Sequence, residues 1–106
     1  MCGDNQAYAA RTTEYGGSLM VSVCDVELVG KTLDHGEMVI SLSRDYFQEE
    51  VIEEDKAADL LKKCSIANLV GEKIVALAIS MGLAKEVGVK RICNIPFLMI
   101  FKFYHR

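Results

Sequence analysis

A chain of 106 residues fits one domain with a real core and leaves no room for two. Hydrophobic residues make up 51% of it and charged residues 25%, which argues against disorder, and a formal net charge of −3 disfavours a general nucleic-acid binder. The charge is uneven, because after Ala67 only Glu72 and Glu86 oppose Lys73, Lys85, Lys90, Arg91, Lys102 and Arg106.

Met1 to Gln6 is polar and reads as a flexible start. Tyr8 to Thr13 and the alternating stretch Ser18 to Cys24 flank Gly16 and Gly17, which predicts a β-hairpin. Asp25 suits an N-cap for one helical turn over Val26 to Val29, and Gly30 ends that turn. Asp34, His35 and Gly36 form a turn cluster, after which Met38, Ile40 and Leu42 alternate with polar or smaller residues as a third strand. A further turn runs from Ser43 or Asp45 through Tyr46 and Phe47. Glu53, Glu54 and Asp55 favour a helix start, and Ala57, Leu60, Leu61 and Cys64 recur on one face of that helix.

The stretch from Ser65 to Gly82 reads as a second helix, capped by Ser65, with Ile66, Val70, Ile74, Leu77, Ala78 and Met81 as its apolar stripe. Asn68, Gly71 and Glu72 interrupt that stripe near its start. Val89 to Ile95 and Phe97 to Tyr104 complete the chain as two strands separated at Pro96, which cannot donate to a ladder. The expected fold is a single α+β domain over residues 1–106. It has a small, mostly antiparallel sheet of four to five strands packed against two helices, in the order β-β-β-α-α-β-β.

Cys2, Cys24, Cys64 and Cys93 form no Cys-x-x-Cys pair, so no metal site or dithiol centre is expected, and the last three read as buried reduced thiols. No signal-peptide pattern opens the chain, and Ile95 to Tyr104 is far short of the ~20 residues of a membrane helix. A cytoplasmic, soluble protein without a cofactor is expected. His35 and His105 have no partner at metal or triad spacing, and neither a Gly-x-Ser-x-Gly elbow nor a phosphate-binding glycine motif occurs.

The run from Cys24 to Lys31 and the run from Ile66 to Glu72 resemble signature stretches of an archaeal family known only as a domain of unknown function, number four hundred and twenty-four. The likeness extends from Tyr8 to Met99 and includes Met38 to Ser43, Tyr46, Phe47, Gly82 and Leu83. It implies an archaeal cytosolic protein of about this length with no established role. Family members end their last motif in Gly-Val-Pro-His-Ala-Gln, where this chain has Asn94, Ile95, Pro96, Phe97, Leu98 and Met99. Phe97 can neither transfer a proton nor bind a metal, so any chemistry of that histidine is missing here.

Two polar clusters are candidate ligand sites. Asn68 and Glu72 stand four apart on the expected helix and would share a face beside Gly71; alternatively they satisfy backbone groups at a helix entrance. Asp25, Glu27 and Lys31 surround the tight turn, either as acid, base or anion holder or simply as a cap with solvated neighbours. Lys90, Arg91, Lys102 and Arg106, interleaved with Phe97, Phe101, Phe103 and Tyr104, are candidate nucleic-acid contacts, while the aromatics suit core or partner packing equally. The leading expectation is a small binding module, accessory to RNA or to the translation apparatus. The alternatives are a small enzyme or ligand-binding protein with a pocket at Asn68 and Glu72, and a homodimer or protein-interaction module using the C-terminal strand.

Overall fold

The computed structural model describes residues 7–36, 38–42 and 50–102. Strand β1 (Ala7–Tyr15) turns through Gly16 and Gly17 into antiparallel β2 (Ser18–Asp25). Both glycines have positive φ, 60° and 83°, which a two-residue hairpin turn requires. A 3-10 turn (Val26–Leu28) follows, and then a separate hairpin of β3 (Thr32–His35) and β4 (Met38–Ser41). Sequence reading places β4 but misses β3, because Thr32 and Leu33 between a glycine and a turn cluster carry too little pattern to mark a strand.

Short strand β5 (Glu50–Glu53) pairs with the outer side of β1 and leads into helix α1 (Glu54–Lys63), whose acidic first turn and basic last turn complement the helix dipole. The apolar residues Ala57 and Leu61 point into the core, as the periodicity predicts. The next segment departs from expectation. Ile66–Val70 is strand β6, lying parallel to β2, and the second helix α2 covers only Glu72–Ser80. Ser65 caps nothing; it donates its N–H to the carbonyl of Leu19 and accepts from the N–H of Lys102, so it already belongs to the sheet. The apolar run is a buried strand joined by Gly71 to a short helix, a case in which an apolar run bounded at one end by glycine fits either period.

A 3-10 turn (Glu86–Gly88), β7 (Lys90–Ile92) and β8 (Ile95–Phe101) close the chain, with β8 antiparallel to both β6 and β7. The β7–β8 turn lies at Cys93 and Asn94, both at positive φ, and not at Pro96, which sits inside β8 opposite Arg91. The carbonyl of Pro96 accepts from the N–H of Gly71, at the very end of β6. Tyr46, Phe47, Phe103, Tyr104, His105, Arg106 and the first six residues, all assigned roles by the sequence, lie outside the described residues.

The main sheet is therefore mixed and six-stranded, in the order β5-β1-β2-β6-β8-β7, larger than the four to five strands expected and differently ordered. Both helices cover one face, over a core of Tyr8, Val21, Val23, Leu61, Leu69, Ile74 and Ile100 among others. The β3–β4 hairpin covers one end of the other face, where Cys24, Leu33, Leu42 and Val70 form a second, smaller core with Phe97 packed against it. Cys24 and Cys64 are buried free thiols as expected, whereas Cys93 is exposed at its turn. Among the described residues no helix is long and apolar enough to cross a membrane.

Candidate functional site

Asp25 ends β2 and is buried, with only 2% of its surface exposed. It does not cap the 3-10 turn that follows it. Its carboxylate instead crosses to α2, where Oδ2 accepts from the N–H of Lys73 at 2.9 Å and Oδ1 from the N–H of Ile74 at 3.0 Å. The parallel pairing of β2 with β6 makes this reach available, since it brings the C-terminal ends of both strands to the helix start. Two of the orphan N–H groups of α2 are thus satisfied from 48 and 49 residues away in the chain.

Gly71 is the hinge of this junction. Its backbone, at φ 121° and ψ 155°, lies in a region essentially confined to glycine. A Cβ added there would stand 2.4 Å from Cγ of Asp25 and 2.5 Å from Oδ2. The glycine is required twice over, by its conformation and by the carboxylate that fills the space beside it. Burial pushes the Asp25 carboxyl above the usual aspartate range, the two N–H donors oppose that shift, and the nearby Glu27 charge adds to it. Burial, followed by the charges of Asp25 and Glu27, pushes the adjacent Cys24 thiol up to about 12, so it stays protonated and unreactive.

Of the other residues in the turn cluster, Glu27 pairs with Lys73 at 3.6 Å across an exposed surface, while Lys31 is exposed at the base of the β3–β4 hairpin. Lys73, which sequence reasoning passed over, is thereby the residue that ties the 3-10 turn to α2 by side chain as well as by backbone. Glu72 and Asn68 do not share a helix face. Glu72, exposed in the first turn of α2, accepts from Arg91 Nη1 at 2.8 Å and Nη2 at 3.4 Å; this pairing holds the Glu72 carboxyl below its usual range. The pair forms part of the wall of a recess of about 320 Å³ whose floor is Val75, Ala76, Ile79 and Val89.

Asn68 belongs to the opposite face of the sheet. Register alone defines what surrounds it: one cross-strand row runs Arg11, Ser22, Asn68, Met99 and the next runs Thr13, Met20, Ile66, Phe101. These two rows lie beyond the end covered by the hairpin. Met20, Met99 and Phe101 are 41%, 55% and 50% exposed, large values for apolar side chains at the centre of a four-strand surface. Neither row contains a carboxylate.

Of the candidate nucleic-acid cations, the described ones, Lys90, Arg91 and Lys102, do not converge. Arg91 is held by Glu72 on the helix side, and Lys102 donates from Nζ to the carbonyls of Leu61 and Lys62, capping the C-terminus of α1. Lys90 stands opposite Phe97 on the open face, and Arg106 lies outside the described residues. Lys90 and Asn68 line a common recess with Phe97, Leu98, Met99 and Gly88. Alternation along β8 puts Phe97, Met99 and Phe101 on one side; the neighbours that β2 and β6 bring beside them follow only from the parallel pairing.

Comparison with known proteins supports the fold and leaves the activity open. The model of a family described as protein of unknown function (DUF424) matches residues 13–103. A crystal structure of an uncharacterized conserved protein from Methanopyrus kandleri is similar with a TM-score of 0.80, at 18% sequence identity, over 94% of this chain and 96% of that one. No protein in a search of curated proteins matches the sequence.

Proposed function

Because the chain belongs to the DUF424 family, whose function is unknown, its role is read from its surface, and we propose that it is a cytoplasmic protein-interaction module whose open sheet face on β1, β2, β6 and β8 receives a protein partner. The observation that carries this reading is the composition of the two exposed rows. They hold two methionines, a phenylalanine, an isoleucine and an arginine among small polar residues, and no Lys, Asp or Glu. Protein interfaces are enriched in Met, aromatics and Arg and depleted of other charged residues in the same way. The opposite face cannot serve equally, since both helices cover it.

A photo-crosslinking residue placed at position 99 tests the reading against one placed at Ser80, which is exposed at the end of α2 on the helix side. Discrete protein adducts from position 99 and none from position 80 are expected in cells. Equal labelling from both positions, or none from 99, overturns it.

A second reading places single-stranded RNA on the same face, as an accessory of the translation apparatus. Phe101 stands in one exposed row and Arg11 in the other, and Lys90 stands on the far edge strand of the same face, side chains suited to stacking and to phosphate contact. Salt-sensitive oligonucleotide binding that Lys90→Glu weakens is its signature, and no binding at low salt removes it.

A further inference from the structure

On the reading that the open face receives a protein, we propose that the recess between Asn68 and Lys90 anchors an acidic side chain of that partner, set within an apolar segment. The recess has a volume of about 340 Å³, enough for a carboxylate-bearing side chain. Two donors line it. Neither the Asn68 amide nor the Lys90 ammonium has a hydrogen-bond or ion-pair partner among the described residues. An ammonium has only donors, and an amide contributes two more, so the group that satisfies both is an acceptor, best a carboxylate.

The walls set the rest of the ligand's chemistry. Phe97, Leu98 and Met99 line the same recess, and Met99 continues onto the exposed apolar rows. An acidic residue in the recess therefore places its neighbours in the partner chain over Met99 and Met20. Charge gives the contact direction. The whole chain carries −3, whereas among the described residues the recess and the two rows beside it contain no carboxylate and present Lys90, which favours an acidic segment there.

The test uses the full chain, labelled with nitrogen-15, and three blocked pentapeptides: Leu-Glu-Phe-Glu-Leu and its counterparts with Gln or Lys in place of both Glu residues. The glutamate peptide is expected to shift the amides of Asn68, Lys90 and Met99. The glutamine peptide and the Lys90→Met variant should each bind about fivefold more weakly, the effect of losing a charge-assisted contact at a partly exposed site. Added salt should erase the difference. Equal binding of the glutamate and glutamine peptides at these amides overturns the acidic anchor but leaves the open face as an interface. Absence of any shift at these amides overturns the anchor, and only the crosslinking from position 99 then bears on the face itself. An oligouridylate decamer that shifts the same amides at lower concentration than the glutamate peptide overturns the proposal in favour of nucleic acid.

Discussion

Replacing Gly71 with Ala attacks the junction that orders the whole second half of the fold. The backbone conformation at φ 121° and ψ 155° costs an L residue about 1–3 kcal/mol by itself. The new Cβ, 2.4 Å from Cγ of Asp25, forces that carboxylate away from the N–H groups of Lys73 and Ile74. Loss of the cap removes about 1 kcal/mol more, and a buried carboxylate left without its donors adds a desolvation cost of similar size. The expected total is about 3 kcal/mol or more, a large share of the 5–15 kcal/mol typical of a domain. Urea unfolding followed by circular dichroism reads it as a lower midpoint at unchanged slope. The decisive measurement is the double-mutant cycle with Asp25→Ala. Removing the carboxylate relieves the two shortest contacts and leaves Asp25 Cβ at 2.8 Å, so the double variant should cost at least about 1 kcal/mol less than the two single changes together. A cost below about 1 kcal/mol for Gly71→Ala would refute the reasoning, as would additivity within about 0.5 kcal/mol.

Three other perturbations probe separate parts of the structure. The Asp25 carboxyl is raised in the folded state, so it binds its proton more readily folded than unfolded and its own contribution to stability improves as pH falls through the folded pKa towards the unfolded one. Asp25→Asn, lacking that term, should lose stability more steeply than the parent chain over the acid range just above pH ~4, and parallel pH profiles of the two would contradict it. Lys102→Met removes the donors at the C-terminal carbonyls of α1 while keeping the stem, and a loss of about 1 kcal/mol in urea unfolding is expected, against about 0.3 kcal/mol for Lys62→Met, which loses only a charge near the same helix end. At the β7–β8 turn, Asn94 stands at φ 65°, so Asn94→Ala should lower stability by about 1 kcal/mol and Asn94→Gly should leave it equal or higher; a thermal scan in which Ala matches Gly would argue against the turn assignment.

Several elements were legible in the sequence because one period or one residue type determines them. Gly16 and Gly17 between two alternating runs specify the first hairpin, and the charge gradient and apolar face of Glu54–Lys63 specify α1. The stretch from Ile66 to Val70 was not legible as a strand, since apolar residues stand on both of its faces: Ala67 and Leu69 face the helices, Ile66 lies in an exposed row and Val70 enters the second core, so only Asn68 marks an alternation. That single misreading carried the site with it. With Asn68 on a helix, Asn68 and Glu72 appear as partners four residues apart; with Asn68 on a strand, they lie on opposite faces of the sheet and Asn68 lines a recess with Lys90. Asp25 was recognisable as a cap, but what it caps was not, because the helix it serves begins 47 residues later and is reached only through the parallel pairing of β2 and β6.

The occupied start of α2 decides where ligand chemistry can reside in this fold. A helix N-terminus facing the C-terminal ends of two parallel strands, entered through a glycine with no side chain, has the ingredients of a phosphate or carboxylate site. Here the anion is intramolecular. Asp25 takes the N–H groups of Lys73 and Ile74, and the absent Cβ of Gly71 makes room for its carboxylate and for nothing else. An external anion would have to displace a buried carboxylate from both donors and then share the site with its charge, which like-charge repulsion in a low-dielectric setting strongly opposes. Glycine and aspartate together thus read as one structural device that fixes α2 on the sheet. Fixing α2 in turn commits the helix face to packing, and the donors of Asn68 and Lys90, without partners among the described residues, are left on the other face.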